Sequence, residues 1–455
     1  MLNQFKKIHF VGIGGIGMSG LAKILLALGY EVSGSDKREN FCIHKLRKQG
    51  AKIFIGHRES NIEDDTDAVV YSSAIPFGNP ELLKAKEKKI PLLHRADILS
   101  FIMQSRIGIA VAGAHGKTTI AAMLAHLLSK ADFNPTVTIG GWLNQYETNA
   151  WLGRGSFMVA EADESDSSFM KLSPFYSIVN NIDYEHLDHY KDIAEIVYAY
   201  QCFMKKTRDM GCVFFCYDDT NLREIIPKLH RRCVSYGFNP LSDVHPVNIL
   251  LKPGRIEFEC IYFGKKMGEF SLQIPGRHNV LNAQAAIAVA RELNIAWEKI
   301  KDALSTYPGT GRRFQIRKFS PVMIVDDYAH HPNEIRATLE AASTFKKKRI
   351  IAVFQPHRYS RIYYLKEKFA DAFTLADKLL VTDIYSADAN PIPGIDGCML
   401  WKEILRKTGR VKDIFFLKRE KIIPSLLEMI RKDDLILMLG AGDITTITDE
   451  LVKRI

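Results

Sequence analysis

The segment Gly113-Ala-His-Gly-Lys-Thr-Thr119 constrains this chain more than any other, because of what stands on either side of it. Ile107–Ala112 is an unbroken run of small and branched apolar residues, the mark of a buried strand, and residues 120–128 carry helical apolar spacing. A glycine loop between strand and helix presents backbone N–H groups to phosphate oxygens. Lys117 then meets their charge, and the Thr118 hydroxyl can reach a divalent cation. Gly113, Ala114, His115, Gly116, Lys117, Thr118 and Thr119 are therefore the candidate contacts for a hydrolysable nucleotide. The pattern is shorter than the full Walker form, since Val111 stands at the position of its first glycine.

A second glycine turn lies near the N-terminus. Gly12, Gly14 and Gly17 fit G-x-G-x-x-G directly after the apolar run 8–11, with Gly15 inside the turn and a helical stripe of Met18, Leu21, Leu25 and Leu28 after it. Asp36 follows at the end of a second short strand. This is the form of a Rossmann-like unit that holds a diphosphate at a helix N-terminus. The diphosphate of a nicotinamide cofactor and that of UDP satisfy it equally. A nicotinamide dehydrogenase, however, leaves residues 113–119 without a purpose, so the pair of turns points to nucleotide-driven chemistry on a nucleotide-linked substrate.

Strand-like runs alternate with helical patterns through most of the 455 residues, which predicts an α/β fold built on largely parallel sheets. Three segments each open with such a unit, and the turn-rich stretch 307–311 separates the second from the third. The expected division is 1–105, 106–311 and 312–455. The formal net charge of +10 suits phosphate-rich small molecules. The densest basic runs, 84–89 and 346–349, lack interleaved aromatics and read as solvated faces rather than a nucleic-acid surface. Seven cysteines without a C-x-x-C pair read as reduced structural thiols. The N-terminal residues run into a strand and turn instead of a leader, and no apolar run approaches the ~20 residues that span a bilayer. A cytoplasmic location, with no membrane partner, is the expectation.

Twelve ordered stretches then resemble the Mur ligase family from end to end: HFVGIGGIGMSG, YSSAIP, AGAHGKTT, TVTIGGWLN, TNAWLGRG, VAEADESDSSF, NNIDYEHLDHY, PGRHNVLNAQAAIAVA, GTGRRF, DDYAHHPNEI, FQPHRYSR and LGAGDI. The resemblance implies three domains: an N-terminal Rossmann-like domain for a UDP-sugar, a central P-loop ATPase domain, and a C-terminal Rossmann-like domain for the amino acid. It implies ATP and Mg²⁺ as cofactors. ATP would phosphorylate the lactyl carboxylate of UDP-N-acetylmuramate, and the amine of L-alanine would displace phosphate from the acyl phosphate.

The resemblance also implies roles residue by residue. Lys117, Glu161, His186, Arg313 and His330 would be catalytic, with Thr118, Glu161 and His186 holding Mg²⁺. Asn279, Asn282, Arg313 and Asp327 would join residues 113–119 around ATP. Gly12, Gly14, Gly15, Gly17, Asp36, Ser72, Ser73, Thr148 and Asn149 would meet the UDP-sugar. Tyr328, His330, Arg358 and Arg361 would receive the amino acid, the two guanidinium forks gripping its carboxylate. Taken locally, His186 and His189 would instead be a solvent-facing helical pair.

Two departures stand out. Ala114 replaces the threonine of many relatives, and Gln201 stands where other branches carry a carbamylated lysine. The second favours the alanine-adding branch. A recycling ligase that adds a preformed tripeptide to the same UDP-sugar is the alternative. A monomer or weak homodimer is expected.

Overall fold

The computed structural model describes residues 4–186, 189–387, 389–407, 411 and 413–455. Its contacts gather into two compact units. One runs to Ile182 and takes in Ile196–Tyr236 and Ala285–Ile300; the other holds Asp183–Glu195, Gly237–Gln284 and Lys301–Ile455.

The first unit contains two sheets. One has the strand order Lys52–Ile55, Glu31–Asp36, Lys7–Val11, Ala68–Tyr71, Leu92–His94, and every pair is parallel. The chain builds outward from Lys7–Val11 in one direction and then returns to build in the other. The strand order thus reverses beside that strand, and the crevice at its C-terminal end is where an open α/β sheet receives a ligand.

In the other sheet Ile107–Ala112 lies between Phe157–Glu161 and Tyr176–Val179, parallel to both. Thr136–Leu143 and Thr148–Trp151 extend it on one side, Cys212–Cys216 and Cys233–Tyr236 on the other. The runs IGIAVA, YSIV and CVFFC are almost wholly buried, as a parallel sheet covered on both faces requires. Burial pushes the Cys216 thiol up to about 12, so that cysteine is an inert core side chain. Val111 pairs with Glu161 and Ala112 with Val179, which brings the loop after Ala112 and the acidic segment after Glu161 out at one edge.

The second unit is organised around a six-stranded sheet in the order Gln315–Lys318, Met323–Asp327, Asp434–Leu439, Arg349–Phe354, Lys378–Val381, Asp413–Phe416. Only its first pair is antiparallel. Alternate residues serve two cores. Met323, Val325, Ala352, Phe354, Leu435 and Leu437 pack on one face; Ile324, Ile351, Val353, Ile436 and Met438 pack on the other. Asp327, Leu439, Phe354 and Val381 lie level across four strands, so the loops that follow them meet along one edge.

The architecture is the expected α/β arrangement, with Rossmann-like parallel layouts at both ends of the chain and a phosphate-loop sheet between them. The antiparallel ribbon Val244–Lys252, Arg255–Tyr262 and Lys265–Leu272 has no counterpart in the sequence reading. The helical reading of His186 and His189 does not hold. His186 has φ +58°, the next helix starts at Ile193, and Leu187 and Asp188 lie outside the described residues.

Candidate functional site

At the first glycine turn, the N–H groups of Gly12 and Ile13 both donate to the Ser35 carbonyl, at 2.8 and 2.9 Å. The Asp36 carboxylate accepts from the Gly14 N–H at 2.9 Å. A Cβ on Gly14 would lie 2.8 Å from that carboxylate and 2.5 Å from Asn40 Nδ2, so only glycine lets the two segments approach this closely. Gly15 precedes the helix Ile16–Ala27, which no side chain caps, and Gly17 sits in its first turn. Uncapped first-turn amides are what a diphosphate needs. Asp36 therefore shapes the turn from behind.

The four polar residues assigned to the sugar divide into two kinds. Ser72 and Ser73 follow the strand Ala68–Tyr71, half-buried and exposed respectively, and Ser73 Oγ bonds both the Asp166 carboxylate and His94 Nε2. Thr148 and Asn149 instead hold Lys23, whose ammonium donates to Thr148 Oγ1 at 3.1 Å and to Asn149 Oδ1 at 2.9 Å. Asn149 is fully buried, and its amide donates to the Ile16 carbonyl. These two residues fasten the helix behind the first glycine turn to the neighbouring sheet.

The second glycine turn is clamped by two asparagines. Ala114 N–H donates to the Asn181 carbonyl at 3.1 Å and His115 N–H to the Asn181 side chain at 2.7 Å, while Asn180 Nδ2 donates to the His115 carbonyl at 3.0 Å. Gly113, at φ +132°, would place a Cβ 3.1 Å from the Asn180 and Asn181 amides. Gly116 opens the helix Lys117–Lys130, and Thr118 and Thr119 are buried in its first turn. Lys117 turns back over the loop, donating to the Gly113 and Ala114 carbonyls and to Glu164 Oε1 at 2.7 Å. Burial opposes its charge, but Glu164, with Asp163 and Glu161 beyond it, prevails and raises its pKa above the ordinary lysine value.

The acidic segment beside that loop starts at Glu161, the last residue of its strand, whose Oε1 accepts from the Gly140 N–H at 2.8 Å. Asp163 is ion-paired to Arg95 at 2.6 Å. Burial works against ionisation of Asp166, yet hydrogen bonds from His94, Ser168 and Ser73 hold its carboxyl well below the usual range.

The remaining candidates belong to the second unit. Asp327 is buried and accepts from the Phe314 and Ala329 N–H groups, each at 2.7 Å. Burial, against Arg313 and those two amides, pushes its pKa up to about 6. Arg313 lies 5.0 Å from the Tyr328 ring centroid and 3.8 Å from Glu334. Asn279 and Asn282 are buried at the start of the helix Arg277–Glu292 and bond each other at 3.1 Å. His330 Nδ1 lies 2.9 Å from the Tyr328 carbonyl, which sets it as the protonated nitrogen and leaves Nε2 with the lone pair.

Arg358 and Arg361 border one pocket with Tyr184, Glu185, His186 and Tyr364. Arg361 Nη2 donates to Glu185 Oε2 at 2.8 Å and Nη1 to the His357 carbonyl at 3.0 Å. Both members of the Arg361–Glu185 pair are under 10% exposed, at 9% and 7%. Arg358 begins the helix Tyr359–Ala372 at φ +65°, ψ 135°, a backbone region that side chains other than glycine's rarely enter. Its fork is thus carried on a strained turn, and that of Arg361 on a buried carboxylate.

The comparisons agree across the whole length. The Mur ligase family, catalytic domain, matches residues 7–106; the Mur ligase middle domain matches 111–290; and the Mur ligase, glutamate ligase domain, matches 312–442. The chain belongs to the Mur ligase family. It is 46% identical to the UDP-N-acetylmuramate–L-alanine ligase of Sulfurihydrogenibium sp., over 99% of this chain and 98% of that protein. It is 45% identical to the enzyme of the same name from Geotalea daltonii, over 100% and 99%. Among solved structures, the UDP-N-acetylmuramate–alanine ligase of Thermotoga maritima superposes with a TM-score of 0.84 at 32% identity, over 98% of each chain.

For this Mur ligase, the sequence reading overlooked the carboxylates that hold its basic residues. Glu164 is one of them and binds Lys117 directly. Glu185 and Glu334, which bind Arg361 and the His330 amide, were not singled out. Their closeness in sequence to His186 and His330 marks them as near the candidate residues but does not reveal the groups they bind.

Burial, followed by Arg361, pushes His330 down to about 4. A histidine kept neutral in the fold yet free to protonate when unfolded makes stability fall with acid. The window runs from the unfolded value near ~6.5 down to the folded value. Between pH 7 and pH 4 the parent chain should lose about 2–3 kcal/mol more unfolding free energy than His330→Gln. Urea unfolding at several pH values measures this, and parallel pH slopes would refute it.

Proposed function

We propose that this chain forms the amide between L-alanine and the lactyl carboxylate of UDP-N-acetylmuramate, with ATP converted to ADP and phosphate. The observation that carries the reaction type is Lys117 on a glycine loop between strand and helix, with carboxylates emerging at the same sheet edge. The names of the full-length relatives support the two substrates. Residues 1–105 are read as the UDP-sugar domain, 106–311 as the ATP domain and 312–455 as the amino-acid domain. The compartment proposed is the cytoplasm; among the described residues, no helix is long and apolar enough to cross a membrane.

Two displacements make up the reaction. A lactyl carboxylate oxygen attacks the γ-phosphorus of ATP, ADP leaves, and an acyl phosphate forms. The alanine amine then attacks the acyl carbon, sheds a proton, and phosphate departs. Charge accumulates first on phosphoryl oxygens, so fixed cations and amides aimed at them do most of the work. Lys117 and the amides of residues 113–119 supply these, with Arg313 added from the last domain. The neutral Nε2 of His330 can take the proton that the amine sheds. Arg358 and Arg361 suit the alanine carboxylate.

Thr118 and Glu161 offer the oxygen donors that a hard divalent cation prefers, and both border the phosphate loop. They would hold Mg²⁺ together with His186. Bound there, the ion would neutralise phosphate charge.

Phosphate release from ATP, measured with UDP-N-acetylmuramate and L-alanine, glycine, L-serine or the tripeptide L-alanyl-γ-D-glutamyl-meso-diaminopimelate, tests the assignment. L-Alanine should give the highest kcat/KM. Release with the tripeptide and with no single amino acid would sink it in favour of a recycling ligase.

A further inference from the structure

A lysine ammonium has three N–H donors and no acceptor. In this structure Lys117 directs them to the Gly113 carbonyl, the Ala114 carbonyl and Glu164 Oε1. A nucleotide phosphate can therefore gain Lys117 only by displacing one of the three. Two are backbone groups of the loop itself, which is pinned by Asn180 and Asn181. The third is a side chain that carries the same charge as the phosphate. Glu164 is 2% exposed, so its carboxylate has little water to fall back on while Lys117 is its partner.

Glu164 is also well placed to move or stay. Its neighbours on the acidic segment hold the first domain on both sides of it: Asp163 pairs with Arg95 at 2.6 Å, and Asp166 binds Ser73 and lies 3.5 Å from His94. Arg95 in turn points Nη1 to within 4.0 Å of where a Cβ on Gly17 would sit, in the first glycine turn. Polar contacts thus tie Arg95, Ser73 and His94 to the acidic segment that carries Glu164, and Glu164 in turn to Lys117.

We propose that Glu164 is a latch. It is a positioning residue that acts through Lys117, taking the place of the phosphate on the ammonium and weakening nucleotide binding until the acidic segment shifts. This rests on the reading of residues 113–119 as the ATP loop. The physical content is a competition: phosphate and Glu164 exclude each other on one cation, so removing the negative charge from Glu164 strengthens phosphate binding. The isosteric amide can still accept a hydrogen bond from Lys117, and Asp163 and Glu161 remain nearby to balance its charge.

The test uses the full chain and ADP as the probe. ADP is titrated calorimetrically in EDTA, which isolates the lysine–phosphate contact, against the parent, Glu164→Gln, Glu164→Asp and Lys117→Ala. Glu164→Gln should bind ADP at least about fivefold more tightly, and its KM for ATP in Mg²⁺ should fall in step with kcat held within about threefold. A residue of purely structural importance would lower stability and kcat without tightening ADP. Glu164→Asp, too short to keep the contact, should shift ADP affinity in the same direction and serves if the glutamine variant fails to fold. Unchanged or weaker ADP binding in a folded variant overturns the latch, as does failure of both variants to fold. If Lys117→Ala binds ADP as the parent does, the nucleotide reading of the loop fails instead.

Discussion

Replacing Lys117 by alanine should lower the rate of phosphate release by about a hundred- to a thousandfold while leaving UDP-N-acetylmuramate binding within about threefold of the parent. The asymmetry follows from where the two nucleotides are assigned. Lys117 opens the helix Lys117–Lys130 after the central strand Ile107–Ala112, whereas the crevice proposed for the diphosphate lies beyond Lys7–Val11 in another sheet. Phosphoryl transfer depends on cations that are already in place when charge develops, and alanine offers none. Steady-state phosphate release together with calorimetric titration of the UDP-sugar measures both halves. Loss of UDP-sugar affinity in a folded variant would mean that the two sites are not separate.

The second large effect concerns stability. Glu185 and Arg361 are a buried pair, so removing the charge of one leaves the other without compensation. At pH 7, Glu185→Gln should destabilise the chain by about 3 kcal/mol. Burial opposes ionisation of Glu185, but Arg361, with His330, His331 and His186, outweighs it and holds its carboxyl well below the ordinary range. A depressed carboxylate contributes stability that is complete above its unfolded pKa near ~4.3 and is lost as pH falls through its lower folded value. Parent and variant should therefore differ most at neutral pH and converge in acid. Denaturant unfolding across pH 3–7 checks the sign, and a gap that widened with acid would refute it. Replacing both residues with leucines should recover much of the loss, since apolar side chains of similar volume carry no desolvation penalty.

Much of the fold was legible because parallel strands buried on both faces are written as unbroken apolar runs. IGIAVA and CVFFC are short enough to favour buried strands over helices, and glycines mark where the chain turns out of the sheet. In the ribbon from Val244 to Leu272 only the middle strand alternates cleanly, with Ile256, Phe258 and Cys260 buried, while VHPVNILLK beside it carries a proline and matches no clean period, so the three strands did not stand out together. The glycine loop could be read from spacing alone, since its strand, glycines, lysine and helix follow one another directly in the chain. Partners of charged side chains could not, because an ion pair between residues 47 or 176 positions apart leaves no local pattern. Thr148 and Asn149 show the same limit. The resemblance implies a sugar contact for them, and their bonds to the buried ammonium of Lys23 left no trace in the local sequence.

The backbone of Arg358 has a further consequence. A residue held at φ +65° is one where glycine would relax the chain. Selection for stability alone would drift toward glycine at this position, and selection for turnover would hold the arginine. A library at residue 358, sorted once for thermal survival and once for growth that depends on the enzyme's turnover, would separate these two pressures. The distance between the two enriched sets would measure what the proposed grip of Arg358 on the amino-acid carboxylate costs in foldedness.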